Sequence, residues 1–100
     1  MIRYQFTPQA TSDLANIWAF IAQDSREAAD RVEEAVFRAC DLLAHSPFSG
    51  RVRTDLTSFP VRFWVVYPYS NYLIIYDPKR KPLQVLRILH GARDIPSVLK

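Results

Sequence analysis

The segment that decides the fold is residues 61–90, VRFWVVYPYSNYLIIYDPKRKPLQVLRILH. It holds three apolar runs rich in β-branched and aromatic residues: VRFWVVY (61–67), YLIIYD (72–77) and LQVLRILH (83–90). The links PYSN (68–71) and PKRKP (78–82) are short and rich in residues that end strands and turn the chain. Runs joined this tightly predict an antiparallel meander. The uninterrupted trio Leu73-Ile74-Ile75 predicts a central strand covered on both faces.

Upstream of the meander the period changes. IRYQF (2–6) alternates and predicts a short strand. Thr7 before Pro8 forms an N-cap followed by proline at the first helical position. Ala10, Leu14, Ile17, Trp18 and Ile21 then mark one face of an amphipathic helix ending near Gln23. In DSRE (24–27), Asp24 is expected to cap a second helix while Glu27 reaches back as a capping box. Its apolar stripe is Ala28, Val32, Ala35, Val36, Ala39 and Leu42 or Leu43, running to about Ala44. At about 1.5 Å per residue that helix spans roughly 30 Å. So short a link predicts an antiparallel helical hairpin. HSPFSG (45–50) ends it, and RVRTDL (51–56) is read as a further strand. The predicted fold is therefore α+β: an N-terminal strand and an antiparallel two-helix hairpin, packed on a mostly antiparallel twisted sheet of about four strands.

Composition sets the bounds. With 100 residues, 49% of them hydrophobic, the chain is expected to form a single domain, residues 1–100, with its own core. One cysteine forms no internal disulfide, and two histidines with no cysteine partner give no zinc pattern. No cofactor or metal is expected. MIRYQFTPQATSD (1–13) lacks a signal-peptide pattern, and no apolar run approaches the roughly 18 residues of a membrane span. The expectation is a cytoplasmic protein in a reducing setting, with no membrane association. Residues 1–50 carry four arginines against seven acidic residues, whereas 51–100 carry nine lysines and arginines against three aspartates. A basic half invites an anionic partner.

The candidate chemistry crowds into VLRILHGARD (85–94), where Arg87, His90, Arg93 and Asp94 lie close in sequence. Metal-free RNA cleavage needs a proton acceptor, a proton donor and cations for the phosphorane charge. Arg62, Arg87, His90 and Arg93 are the residues that could supply them. On a regular strand, however, Leu83, Val85, Arg87 and Leu89 face one way, while Gln84, Leu86, Ile88 and His90 face the other. Arg87 and His90 are then divided unless the strand bulges. Gly91 admits the positive φ that stops the strand, and Ile95, Val98 and Leu99 are expected to pack back as a helical turn.

Elsewhere Arg51 and Arg53 share a face across Val52, and Arg62 shares one with Trp64, either as a site for RNA or as a structural cation–π contact. PKRKP (78–82) sets three cations between two prolines and is shaped for nonspecific phosphate contact or for a soluble turn. Cys40 falls in the helical stripe and is expected to be buried. His45 falls at the helix end, where a cation suits the dipole.

FTPQATSDLANIWAFIAQDSREAADR (6–31), SPFSGRVRTDL (46–56), VRFWVVYPYSNYLIIYDP (61–78) and LQVLRILHGARD (83–94) together resemble the ParE/RelE superfamily of toxins from bacterial type II toxin–antitoxin systems, and in particular its ParE branch. The strand closing in R-x-x-H-G-x-R-D is the most specific part. The resemblance implies a plasmid-stabilisation type of system and a cognate antitoxin, which joins a DNA-binding domain to an acidic segment that wraps the toxin. A basic half and an open sheet edge suit such a segment, by strand addition. It further implies that this chain reads no DNA sequence by itself. ParE-type members poison DNA gyrase through protein contacts, with no catalytic residue of their own. RelE-type members cut mRNA on the ribosome, commonly with a Tyr-Arg pair at the strand matching YLIIYD and a C-terminal tyrosine. Here Leu73 follows Tyr72, and no tyrosine follows Tyr76. Both differences favour the gyrase reading, while His90 keeps the endonuclease as the alternative; a third reading is a chain kept only as a binding partner. The candidate contacts for partners are Arg51, Arg53, Arg62, Trp64, Arg87 and Arg93.

Overall fold

A computed structural model describes residues 3–91. In chain order it holds β1 (Tyr4–Phe6), α1 (Pro8–Ala22), α2 (Arg26–His45), a 3-10 turn (Pro47–Ser49), β2 (Arg62–Val65), β3 (Tyr72–Asp77) and β4 (Leu83–His90). The strands form one sheet in the order β1-β4-β3-β2. β2, β3 and β4 are the expected antiparallel meander, and β1 joins β4 in parallel. The two helices pack on this mixed, mostly antiparallel sheet, so the α+β expectation holds.

Local chemistry sets the helix ends. The Thr7 hydroxyl accepts the Ala10 N–H and starts α1, with Pro8 inside the first turn. α2 is capped by Ser25, whose Oγ accepts the Ala28 N–H, and not by Asp24 as expected. The reason lies in the link: the N–H groups of Asp24 and Ser25 both bond to the Ile21 carbonyl, which spends Asp24 on closing α1. The buried stripe includes Ala29, and of the two leucines Leu43 is fully buried while Leu42 is 47% exposed. Trp18 Nε1 donates to Asp30 at 2.9 Å and clips the hairpin together.

The expected strand over 51–56 shrinks to one bridge, between Arg51 and Phe63. Beyond it the N–H groups of Leu56 and Thr57 fold back to the Arg53 carbonyl, and Arg53 holds Asp55 through two nitrogens. Turn chemistry in RTDLT wins over strand pairing.

The central strand β3 is buried on both faces, as the apolar trio implied. Ile74, Tyr76, Leu83, Val85 and Ile88 meet Leu14, Val36, Cys40 and Leu43 of the helices. On the opposite face Val61, Phe63 and Ile75 cluster with Leu56, Leu73, Leu86 and Leu89. Tyr76 is fully buried, yet its hydroxyl is satisfied twice: it accepts the Gly50 N–H at 2.9 Å and donates to the Pro47 carbonyl at 2.7 Å. A Cβ at position 50 would run into the Tyr76 hydroxyl, so glycine is required there by the close approach.

Two outcomes follow. Tyr76→Phe leaves the Gly50 N–H and Pro47 carbonyl without their partner and is expected to cost about 1–3 kcal/mol in urea unfolding, with an unchanged m-value. Cys40 is fully buried and its thiol is pushed up to about 12, first by burial and then by Asp41. It should therefore resist a thiol reagent at pH 8 in the native protein and react fully in denaturant.

Candidate functional site

β1 is three residues long and pairs only with Leu83–Val85, so among the described residues the edge of β4 beyond Val85 has no strand beside it. Its N–H and C=O groups need other partners. α1 supplies them from its first two turns. The Thr7 hydroxyl donates to the Leu86 carbonyl at 2.7 Å, and an Asp13 carboxylate oxygen accepts the Ile88 N–H at 3.0 Å. Both oxygens of Asp13 also grip Arg87, from Nε at 2.7 Å and from the terminal nitrogen at 2.9 Å. These side chains are only 14% and 26% exposed. The carboxylate beside it raises the guanidinium pKa.

At the same point β4 bulges. Ile75 lies opposite Arg87, and Tyr76 lies opposite Val85, which leaves Leu86 without a partner. The extra residue shifts the side-chain alternation. Leu83, Val85 and Ile88 share the helix-facing core, while Leu86 and Leu89 lie in the opposite cluster. The regular alternation expected for 83–90 is thus corrected: Leu89 does not share a face with Leu83, nor Ile88 with Leu86. Arg87 and His90 both end up near α1. His90 meets Tyr72 edge-on, with centroids 5.1 Å apart, in a groove that Asn16, Ile17 and Phe20 complete. Gly91 follows at φ 77°, the expected strand stop.

The other candidates gather at the far side of the sheet. Arg62 does not lie over Trp64. It stacks on the Phe48 ring, 5.0 Å from the centroid, and donates to the Gly50 carbonyl at 2.8 Å. Trp64 packs edge-on against Tyr67 instead. Arg51 and Arg53 do share one surface, a groove of about 430 Å³ lined also by Ser49, Trp64, Val65 and Tyr67. The groove follows an open strand edge. Phe63 sends its N–H and C=O outward to Arg51, at 2.9 and 2.8 Å. Antiparallel alternation turns the N–H and C=O of Val65 the same way, and no backbone group among the described residues meets them.

The ribonuclease candidates are not drawn together. Arg62 pairs with Tyr76 and His90 with Tyr72, on strands either side of β3. That places their backbones roughly 13 Å apart along the sheet and roughly 10 Å across it. Arg87 is held by Asp13, and Arg93 lies outside the described residues, as do Asp94 and the expected C-terminal turn. No group of three or more potential metal ligands occurs among the described residues, and no helix there is long and apolar enough to cross a membrane.

Sequence reasoning missed Asp13 and the open backbone of Val65. The bulge had left a trace: Val85 to Ile88 and Leu86 to Leu89 are apolar steps of three where a regular strand steps by two. Asp13→Ala strips Arg87 and the Ile88 N–H of their acceptor at once. It is expected to cost about 2–4 kcal/mol in thermal or urea unfolding. Asp13→Asn, which keeps an acceptor for Ile88, should cost less.

The chain can now be set beside known proteins. The family model described as ParE toxin of type II toxin-antitoxin system, parDE, matches residues 4–95. A structure of the chromosomal ParDE TA system from P. aeruginosa shares this fold, with a TM-score of 0.71 at 21% identity, over 92% of this chain and 98% of that one. No curated protein matches. With the matched model spanning β1 through β4 and the same helix-on-sheet architecture recurring in a ParDE structure, this chain belongs to the ParE toxin family of type II toxin–antitoxin systems.

Proposed function

We propose that the chain acts in the bacterial cytoplasm as a gyrase-inhibiting toxin that works by protein contact, and that a cognate antitoxin neutralises it. The observation that carries the non-catalytic reading is the engagement of its cations. Arg87 is clamped on Asp13 and Arg62 is tied to Phe48 and Gly50, so neither is poised to take up phosphate charge beside His90. Leu73 after Tyr72 supports the same choice, since the ribonuclease branch commonly carries arginine there.

The β2 edge supports the antitoxin reading. An extended acidic segment laid along Val65 would gain backbone hydrogen bonds, while Arg51 meets its carboxylates, Arg53 joins by exchanging Asp55 for them, and Trp64 and Tyr67 flank its apolar side chains. Strand addition supplies affinity through the backbone and selectivity through the flanking side chains.

Inducing the chain alone in cells, with supercoiling and transcript integrity followed in parallel, tests the target. Loss of supercoiling with DNA-damage signalling is expected. Rapid translational arrest with cleaved mRNA, abolished by His90→Ala, would overturn the gyrase reading in favour of the ribosome-dependent endonuclease. Arg51→Glu, at an exposed position whose bridge to Phe63 uses only backbone groups, should weaken antitoxin binding by at least about five-fold at physiological salt, read by calorimetry, and leave the fold intact.

A further inference from the structure

The three cations of PKRKP (78–82) are absorbed neither by the β2 edge nor by the Asp13 clamp. Their surroundings give them a shape. The parallel pairing of β1 with β4 bonds the Leu83 N–H to the Arg3 carbonyl, which seats Arg3 against the β3–β4 turn. α2 ends beside both, at His45. Arg3, His45, Arg80 and Lys81 line one concave groove of about 350 Å³, with Ala44, Pro47, Pro82 and Leu83 as its apolar floor. All four basic residues are exposed, and none is in an ion pair among the described residues. The turn that carries Arg80 and Lys81 is held by Asp77, whose carboxylate accepts the Lys79 N–H at 2.9 Å.

Three negative influences lie close by, Asp77 at the base of the turn, Asp41 and the α2 C-terminus, and together they are smaller than the cationic set. Asp41 sits one helical turn before His45. The C-terminus of α2 contributes about half an elementary charge of negative dipole. Arg3, Arg80 and Lys81 carry a full charge each, and Lys79 adds another on the same turn.

We infer that this groove is a sequence-independent site for the phosphate backbone of duplex DNA, presented by the toxin itself. The ligand class follows from what the groove contains and lacks. Full cations from two separate places, Arg3 ahead of β1 and Arg80 and Lys81 on the β3–β4 turn, suit an extended polyanion. Among the described lining residues there is no Phe, Tyr or Trp and His45 is the single ring, so the groove lacks the succession of platforms on which neighbouring bases of a single strand stack. It shares no residue with the groove at the β2 edge, so an antitoxin strand and a duplex are able to bind together.

Fluorescence anisotropy of the full chain with a labelled 20-base-pair duplex of mixed sequence tests the site. Binding is expected at 50 mM KCl, weakening steeply as salt rises. Arg80→Gln with Lys81→Gln should lower affinity on the order of ten-fold and flatten the logarithmic salt dependence by about 2, at roughly 0.9 per phosphate contact. Arg3→Gln, on a different element, should flatten it by about 1. Arg51→Gln with Arg53→Gln should leave binding unchanged. Circular dichroism confirms that each variant is folded. Absence of binding at 50 mM KCl would overturn the proposal. So would an equal loss from the Arg51 and Arg53 pair, which would mean diffuse charge rather than this groove. Displacement by polyglutamate as effective as by unlabelled duplex at equal charge would assign the groove to acidic protein segments and likewise overturn it.

Discussion

The carboxylate of Asp13 is the point on which the arrangement of helices and sheet depends. A three-residue β1 leaves most of β4 at the border of the sheet, where unpaired backbone groups either meet water or recruit another chain. Asp13 closes that border from α1, taking the Ile88 N–H and the Arg87 guanidinium together, while Thr7 caps α1 and donates to Leu86 with one hydroxyl. A single helical turn and a single strand edge are thereby tied through polar contacts that survive only in one register. The bulge at Leu86 sits within this clamp, and it decides which of the following side chains enter which core.

That constraint divides the molecule's basic residues by role. Arg87, which in sequence looks like a reactive cation, is bound up in holding the fold. Arg62 does a similar task at the opposite border, pinning the Phe48–Gly50 loop that Tyr76 also grips from inside. Among the cations facing solvent, two groups line grooves: Arg51, beside Arg53 in its exposed pair with Asp55, at the β2 edge, and Arg3, Arg80 and Lys81 at the other. Among the described residues, β1 and α1 close part of one sheet border, while Val65 stays open at the other. An asymmetry of this kind suits a protein that works by being held by partners.

The meander, the helical hairpin and the buried cysteine were legible in the sequence, because hydrophobic period and turn residues are local signals. The cap of α2 was misplaced by one residue, since Asp24 and Ser25 are equally good caps until the Ile21 carbonyl claims the link. The strand over 51–56 was overread because Arg53 and Asp55 prefer each other to a neighbouring strand. The alternation in 83–90 was drawn as regular although its apolar steps of three were already written in VLRIL. Of the candidate site, the grouping of Arg51 with Arg53 survived, whereas the stacking of Arg62 on Trp64 did not. Phe48 lies fourteen residues from Arg62, and only the packed loop brings them together.

By itself, then, the sequence determined the α+β class, the order of elements and the kinship with ParE toxins, since each is carried by periodicities and motifs within short windows. The tertiary structure alone decided which charges remain available. Asp13 and Arg87 lie seventy-four residues apart in the chain, and their pairing exists only once α1 has docked on β4. Whether an arginine is a ligand for a partner or a rivet in the fold depends on the carboxylate or carbonyl that folding places against it, and no local pattern encodes that neighbour.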